Sequence, residues 1–395
     1  MISKYRKAFN EAFSEEKYQE FLTVLGEGFP PIPFRVAESP VFIPAELKEK
    51  LKEAGQEIIK LIRQPNFKAL TDAAIPEKWL VPNENEHPHF LTFDFGICRD
   101  EHGQLCPKLI EMQGFPSLYG FQSLLGKTYK SAYHLPEELS PFLDGFDEES
   151  YVALLREVIV GDHQPEEVAL MDVDAPDQKT AIDFFVTQRY LGIKILSLTD
   201  IFREGKALYY REGDQAVRLK RIYNRLIFDE IADQTDLFHQ AFDPREELDI
   251  EWITHPNWFY RISKYTMPFL KTDFVPETIF LDQLKTIPSD LENYVLKPLF
   301  SFAGMGVLID VKPEDISAIE EPENWILQRK VSYEPVVQSP DGGVKLEIRL
   351  MYLWPDGQEP ALCINLARMS KGAMIGVRYN KDFDWVGGTV GLIAT

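Results

Sequence analysis

A glycine-rich turn between two apolar segments is the feature that most limits how this chain can fold. Residues 294–307 read YVLKPLFSFAGMGV, in which an apolar strand delivers Lys297 into a loop that contains Gly304 and Gly306. The apolar segment Val307–Val311 follows, so the pattern predicts a strand–loop–strand hairpin. Backbone N–H groups of such a loop can lie over phosphate oxygens, and a lysine at the strand end adds a positive charge. An ordinary turn accounts for the same residues, and the absence of a Gly-Lys-Ser/Thr sequence excludes a Walker loop.

Two further segments would complete a nucleotide site around this hairpin. Lys264 lies upstream in FYRISKYTMPFL, and the apolar strand Trp325–Val331 lies downstream and ends in polar residues. Adenine needs an apolar slot with backbone donors and acceptors at its edge, which a strand that exits into a hinge supplies. Each segment also has an ordinary explanation, because isolated lysines and amphipathic edge strands are common.

Carboxylates with the spacing of strand neighbours predict a magnesium site. Glu111 and Gln113 are two residues apart in KLIEMQG, and Glu347 and Arg349 are two apart in KLEIRLMYL. Alternation along a strand puts both members of each pair on one face. Oxygen donors on one face suit Mg²⁺, and a guanidinium beside them suits phosphate. A solvated strand face with a surface ion pair explains either pair alone.

The remaining patterns predict a mixed α/β chain. Ala45–Arg63 has the apolar spacing of a surface helix, and residues 89–112 alternate as a β-hairpin that turns at Gly103, with a helix following from about Phe121. Within residues 150–250 the pattern predicts the strand Glu167–Asp174, the crossover helix Gln178–Leu191 and the parallel strand Ile193–Leu198. A hairpin formed by Ala207–Arg211 and Val217–Tyr223 follows. The last predicted pair, Val344–Trp354 and Ala361–Ala367, is antiparallel and turns at residues 355–357.

Charge and cysteine content exclude several classes of protein. Lys+Arg number 42 and Asp+Glu 63, a formal charge of −21, which argues against binding to nucleic acid or to an anionic membrane. This charge is compatible with a small basic cleft for a phosphorylated metabolite, and equally with a role in solubility alone. The three cysteines do not form a disulfide framework or a zinc spacing. Neither a signal peptide nor a membrane-spanning stretch is present, so we expect a cytoplasmic protein.

Together these motifs resemble the ATP-grasp superfamily, and more narrowly its circularly permuted branch of eukaryotic-type glutathione synthetase and glutathionylspermidine synthetase. FDFGICRDEHGQLCPKLIEMQGFPSLYGFQ lies early, as the permutation requires, whereas YVLKPLFSFAGMGV and ARMSKGAMIGV lie late. The resemblance spans residues 90–395 and implies a bilobed, ATP-grasp-like α/β (α+β) fold. The implied divisions are an N-terminal helical region (1–88), a permuted metal-strand segment (89–149), a Rossmann-like substrate domain (150–250) and the nucleotide-binding lobes (251–395).

The resemblance also implies an activity, that of an ATP-dependent carboxylate–amine or carboxylate–thiol ligase that works through an acyl phosphate. Its cofactors would be ATP and Mg²⁺, and its partners a small-molecule or peptide carboxylate and an amine, with a homodimer left open. The expected site residues are Lys264, Lys297, Ser301, Gly304, Gly306, Gln328, Arg329, Lys330 and Arg349 for the nucleotide, Glu111, Gln113 and Glu347 for the metal, and Arg368 with Arg225 for the substrate carboxylate and the reaction intermediate.

Two departures from the family pattern keep other functions open. The family's E-x-N is Glu111-x-Gln113 here, and residues 299–302 of the glycine loop carry no carboxylate. Either Glu347 compensates for the missing ligand or metal binding is weakened. A nucleotide-binding module without catalysis is therefore the first alternative. A phosphotransferase is the second, although none of the seven histidines is placed beside these motifs to accept a phosphate.

Overall fold

The computed structural model contains both helices and strands, and it describes residues 1–231, 236–300, 306–372, 375, 380 and 382–394. The helices of these ranges are α1 Ser3–Ala12, α2 Glu15–Leu25, α3 Ala45–Ile62, α4 Phe67–Thr71, α5 Tyr119–Ala132, α6 Glu148–Ile159, α7 Ala181–Leu191, α8 Asp236–Gln240, α9 Asn257–Arg261 and α10 Pro313–Ser317. The strands are β1 Val41–Ile43, β2 Phe90–Arg99, β3 Leu105–Gln113, β4 Leu139–Ser140, β5 Val168–Asp172, β6 Lys194–Ser197, β7 Ile201–Glu204, β8 Ala207–Glu212, β9 Gln215–Leu219, β10 Arg221–Asn224, β11 Glu251–Ile253, β12 Thr278–Phe280, β13 Tyr294–Pro298, β14 Trp325–Arg329, β15 Val337–Ser339, β16 Gly342–Leu353, β17 Ala361–Ser370, β18 Gly387–Thr389 and β19 Gly391–Ala394. Within the described ranges, no helix is both long and apolar enough to cross a lipid bilayer.

A six-stranded antiparallel sheet holds together segments that are far apart in sequence. Its strand order is β18-β17-β16-β2-β3, with β15 also paired to β16. The early hairpin β2–β3 turns at Gly103, which adopts φ +74° as only glycine does readily. Pairing of β16 with β2 joins this hairpin to the late hairpin β16–β17. The predicted hairpin over residues 89–112 and the predicted antiparallel pair Val344–Trp354 and Ala361–Ala367 are therefore confirmed.

The two faces of this sheet have opposite character. On one face, Phe93 and Leu350 pack with Leu47, Leu51 and other apolar residues of the predicted helix α3, which is confirmed. Burial of such side chains contributes about 25 cal/mol per Å² of apolar surface removed from water. Around Asp94 the other face carries the charged residues of β2, β3, β16 and β17, because side chains alternate along each strand. Farther along the same face, Phe90 and Leu353 pack into a second apolar core.

A second sheet is parallel, with strand order β11-β10-β5-β6. The predicted parallel pair is confirmed as β5 and β6, joined through α7. The prediction of a single strand over Val217–Tyr223 is wrong. The hairpin strand β9 ends at Leu219, and the next strand, Arg221–Asn224, lies between β5 and β11. All four of its side chains are buried, which an outer hairpin strand would not achieve.

A three-stranded sheet of order β12-β14-β13 carries the expected nucleotide-binding lysine and hinge. Lys297 lies on β13 and Gln328 on the central strand β14. The predicted strand Val307–Val311 is wrong, since its pairing is confined to one bridge from Leu308 to Leu296. The chain turns away there because Pro313 begins α10.

Gly55 of α3 provides a test of how tightly the helix packs on the sheet. A Cβ at this position would lie 2.1 Å from the Tyr352 hydroxyl oxygen. Alanine favours a helix over glycine by about 0.5–1 kcal/mol, but overpacking costs about 1–3 kcal/mol. We expect Gly55→Ala to lower the free energy of unfolding by about 1 kcal/mol in urea titrations. The double variant Gly55→Ala/Tyr352→Phe, which removes the hydroxyl, should recover most of the loss. A single variant more stable than the parent would contradict this packing.

Candidate functional site

A buried carboxylate lies at the centre of the charged sheet face. Asp94 accepts two hydrogen bonds from Arg349, with Nε 2.5 Å from Oδ1 and Nη2 2.6 Å from Oδ2. A third comes from Arg368, whose Nη2 lies 2.7 Å from Oδ2. Burial alone would raise the pKa of Asp94, but the charges of Arg349 and Arg368 outweigh it and hold the pKa below its usual value. Asp94 was not among the expected site residues, and it fixes two that were.

Glu347 is paired within the same face. It lies directly opposite Arg368 in the sheet, and its Oε1 is 3.2 Å from the Arg368 Nε. The Tyr333 hydroxyl donates to its Oε2 at 3.1 Å. Within the described part of the chain Oε1 is buried and has no hydrogen bond. Burial raises the pKa of Glu347, and the charge of Arg368 opposes that shift without cancelling it.

A glycine makes room for this tyrosine. Gly96 lies opposite Glu347, and a Cβ there would be 2.8 Å from the Tyr333 ring. The N–H of the next residue, Glu334, donates to the Ile97 carbonyl. The segment that follows β14 therefore lies directly on β2 beside the charged cluster.

Glu111 and Gln113 occupy one face of β3, as their spacing predicts. The Gln113 Nε2 donates to the Glu111 Oε1 at 2.7 Å. Glu111 is opposite Asp94 in the sheet, and its Oε1 is 3.9 Å from the Arg349 Nη2. The Glu111 side chain is 35% exposed, so it is the accessible carboxylate of the cluster.

Two lysines approach Glu111 from the neighbouring segments. The Lys297 Nζ donates to the Gln328 Oε1 at 2.6 Å and to the Ile110 carbonyl at 3.2 Å. Burial lowers the pKa of Lys297 to about 8, although the charge of Glu111 opposes the shift. Lys264 is buried in the 3₁₀ helix Lys264–Phe269, and burial lowers its pKa against the same opposing charge. The structure thus brings both expected lysines to the expected carboxylate.

Arg329 and Lys330, two further residues of the expected nucleotide set, point away from this cluster. Arg329 is on the opposite face of β14 from Gln328, where its Nη2 donates to the Tyr294 hydroxyl at 3.1 Å. The Lys330 Nζ is 3.7 Å from the Asp310 Oδ1. The backbone N–H groups of Arg329 and Lys330 already donate to the carbonyls of residues 277 and 293. Their adenine role stays a prediction. Gly306 adopts a left-handed backbone conformation with φ +71°. Ser301 and Gly304 lie outside the residues that the structure describes.

Arg225 forms a second, separate feature after β10. It is buried, and its guanidinium lies 4.7 Å from the Phe115 ring centroid and 5.5 Å from that of Phe184. Its Nε and Nη1 have no hydrogen bond among the described residues. Leaving a buried charged donor unsatisfied is costly, so this arrangement suits an anionic ligand. Phe115 follows Gln113 by two residues, which places this feature next to the end of β3.

The expected metal ligands do not form a metal site as they stand. Among the described residues, no three His, Cys, Asp or Glu side chains are grouped so that they could hold a metal ion. Glu347 is held by Arg368 and Tyr333, and Gln113 directs its amide N–H group at Glu111. The roles of Glu111, Gln113 and Glu347 as metal ligands remain predictions that this geometry does not support.

The chain as a whole is similar in fold to a protein of known structure. The chain is similar to a glutathione synthetase-like effector, GSS30, from Globodera pallida in its apo form, with a TM-score of 0.62 and 10% sequence identity. The similarity covers 97% of this chain and 98% of the effector. The fold is glutathione synthetase-like. No family model and no curated protein sequence matches the chain. The α/β (α+β) fold class is confirmed, and the ATP-grasp assignment stays a prediction.

Removal of the Asp94 charge should destabilise this glutathione synthetase-like fold. Asp94→Asn keeps the side-chain volume but removes the anion that the buried Arg349 and the partly exposed Arg368 share, which costs about 3–5 kcal/mol. Urea unfolding measures this loss. The matched control is Asp249→Asn, which breaks the exposed ion pair with Arg218 and should cost less than about 1 kcal/mol. Equal, small effects of the two substitutions would show that Asp94 does not hold the arginines.

Proposed function

We propose that the chain is an ATP-dependent carboxylate–amine or carboxylate–thiol ligase that works through an acyl phosphate. The observation that carries the proposal is the convergence of Lys264, Lys297, Arg349 and Arg368 on Glu111. Arg349 lies 3.9 Å from that carboxylate. The negative charge of Glu111 also acts to raise the pKa of Lys264, of Lys297 and of Arg368. These cations come from three separate parts of the chain, which an incidental surface ion pair would not require. The glutathione synthetase-like fold supports the same reaction class.

The proposed reaction needs charge neutralisation more than covalent help from the protein. A substrate carboxylate oxygen bonds to the γ-phosphorus of ATP as the bond to the β–γ bridging oxygen breaks and ADP leaves. The amine or thiol then attacks the acyl carbon, loses its proton, and displaces phosphate. Phosphoryl transfer is catalysed mainly by positioning and by fixed positive charge. Arg349 and Arg368 would supply such charge already oriented, because Asp94 holds both guanidinium groups.

Arg225 would hold the substrate carboxylate. Its Nε and Nη1, which are buried and have no hydrogen bond among the described residues, could each donate to an anionic oxygen. The rings of Phe115 and Phe184 fix the guanidinium plane before the substrate arrives. In the ligand-free protein the nearby buried carboxylate of Asp183 offsets part of the cost of burying this charge, and a bound substrate carboxylate would offset more of it.

A nucleotide-binding module without catalysis is the second candidate function. The pairing of Asp94 and Glu347 with arginines favours it, because neither carboxylate is then available to a catalytic metal. ATP binding with no ADP formation across a panel of carboxylates and amines would support this candidate over the ligase.

Turnover tests the ligase directly. ADP should form only when a peptide or small-molecule carboxylate and an amine or thiol are both present, measured by a coupled ADP assay over such a panel. Lys297→Ala should lower the rate on the order of 100-fold, because it removes a charge placed for the phosphates. Lys206→Ala, which removes an exposed lysine paired with Glu247, is the matched control and should retain the parental rate. Undiminished turnover by Lys297→Ala would overturn the assignment.

The depressed pKa of Lys297 predicts proton uptake when ATP binds. In the protein without ligand the pKa of Lys297 is about 8, so at pH 8 half of the Lys297 side chains are neutral. Phosphate charge beside Nζ stabilises the ammonium form and raises the pKa, so binding near pH 8 should take up as much as about half a proton. Calorimetry in buffers of different ionisation enthalpy measures this uptake. Lys297→Met should abolish it, and the same uptake in that variant would assign the effect to another group.

A further inference from the structure

Most of the carboxylate oxygen atoms on this sheet face already contact protein groups. Asp94 accepts three hydrogen bonds from two arginines. Glu347 faces Arg368 on one oxygen and accepts from Tyr333 on the other. Glu111 accepts from the Gln113 amide. Mg²⁺ prefers near-octahedral oxygen coordination, so it would have to displace these contacts.

Positive charge occupies the place where the metal was expected. Arg349 and Arg368 share the carboxylate of Asp94, Arg368 also pairs with Glu347, and Arg349 lies 3.9 Å from Glu111. The surplus of positive charge therefore depends on the two neighbouring lysines, which bring the total to four basic groups against three carboxylates. Arg368 is 33% exposed, so a ligand can reach it. Lys264 and Lys297 add two cations on the side of Glu111.

The chemistry of these groups selects a particular form of ligand. Guanidinium groups bind phosphate oxygens through paired N–H donors, and ammonium groups bind them as point charges. ATP without a metal carries more negative charge than its magnesium complex. A site with an excess of cations gains more from the free polyphosphate, whereas a bound Mg²⁺ would meet like charge from both arginines.

We infer that this face binds a nucleoside polyphosphate without a divalent cation, with Arg349 and Arg368 standing where the metal would be. The inference rests on the proposed nucleotide site and specifies the ionic form of its ligand. Asp94 anchors the two arginines, and Glu111 limits the surplus of positive charge rather than ligating a metal.

Calorimetric titration of the full chain with ATP tests the inference, once in excess EDTA and once in excess MgCl₂. The dissociation constant in EDTA should be lower than that in MgCl₂ or at most equal to it, because metal-free ATP carries more negative charge. Arg368→Gln should weaken binding on the order of tenfold in both buffers, because it removes a phosphate donor. Arg218→Gln, which removes an exposed arginine of the β9 hairpin, is the matched control and should bind as the parent does.

Glu111→Gln separates the two ways of neutralising the phosphates. With arginines in that role, the variant binds ATP at least as tightly as the parent in both buffers, because a negative charge has been removed. An affinity more than about tenfold higher in MgCl₂, with that gain lost in Glu111→Gln, would overturn the inference and leave the nucleotide site in place. Absence of ATP binding in both buffers would overturn the proposed function together with the inference. The comparison of buffers uses the unmodified chain, so it decides the matter even if a variant fails to fold.

Discussion

The hydrogen bonds of Asp94 to Arg349 and Arg368 are the interaction on which the charged sheet face depends. They join β2 to β16 and β17 across the point where the two halves of the sheet meet. A buried carboxylate is tolerated only when it is paired and hydrogen-bonded, and a buried guanidinium has the same requirement. Each of these three strands therefore needs the others at this position. Glu347 can be buried beside them because Arg368 also faces it.

Local patterns in the sequence were sufficient to predict the hairpins and the parallel pair. Alternation over residues 89–112 and the turn at Gly103 depend on neighbours in the chain, and both agree with the structure. The pattern FLTFDF also sets Asp94 on the polar face, which is the signal by which it could have been found. Its partners were beyond prediction, because the register of β16 against β2 is set by packing between segments distant in sequence.

Burial decided which basic residues join the site, and single-sequence patterns do not show it. Gln328 and Arg329 are adjacent, yet alternation turns Gln328 towards Lys297 and Arg329 towards the solvent-facing Asp290. Arg225 was expected at the substrate, but nothing in RIYNRL indicates that two of its nitrogens would be buried with no hydrogen bond to the described residues. The same strand was expected in an outer hairpin, and its place in the parallel sheet is what buries Arg225.

The pairing of an early hairpin with a late one also governs when the sheet can form. β3 ends at Gln113 and β16 begins at Gly342, so most of the chain must be synthesised before β2 meets its partner. Closing so long a loop carries a large entropic cost, and contacts of this range form slowly. All four strands of the parallel sheet are synthesised before β16 and β17, so the polar face of the early hairpin has no arginine partners for Asp94 until then. Assembly of the charged sheet face therefore belongs to a late stage of folding on the ribosome.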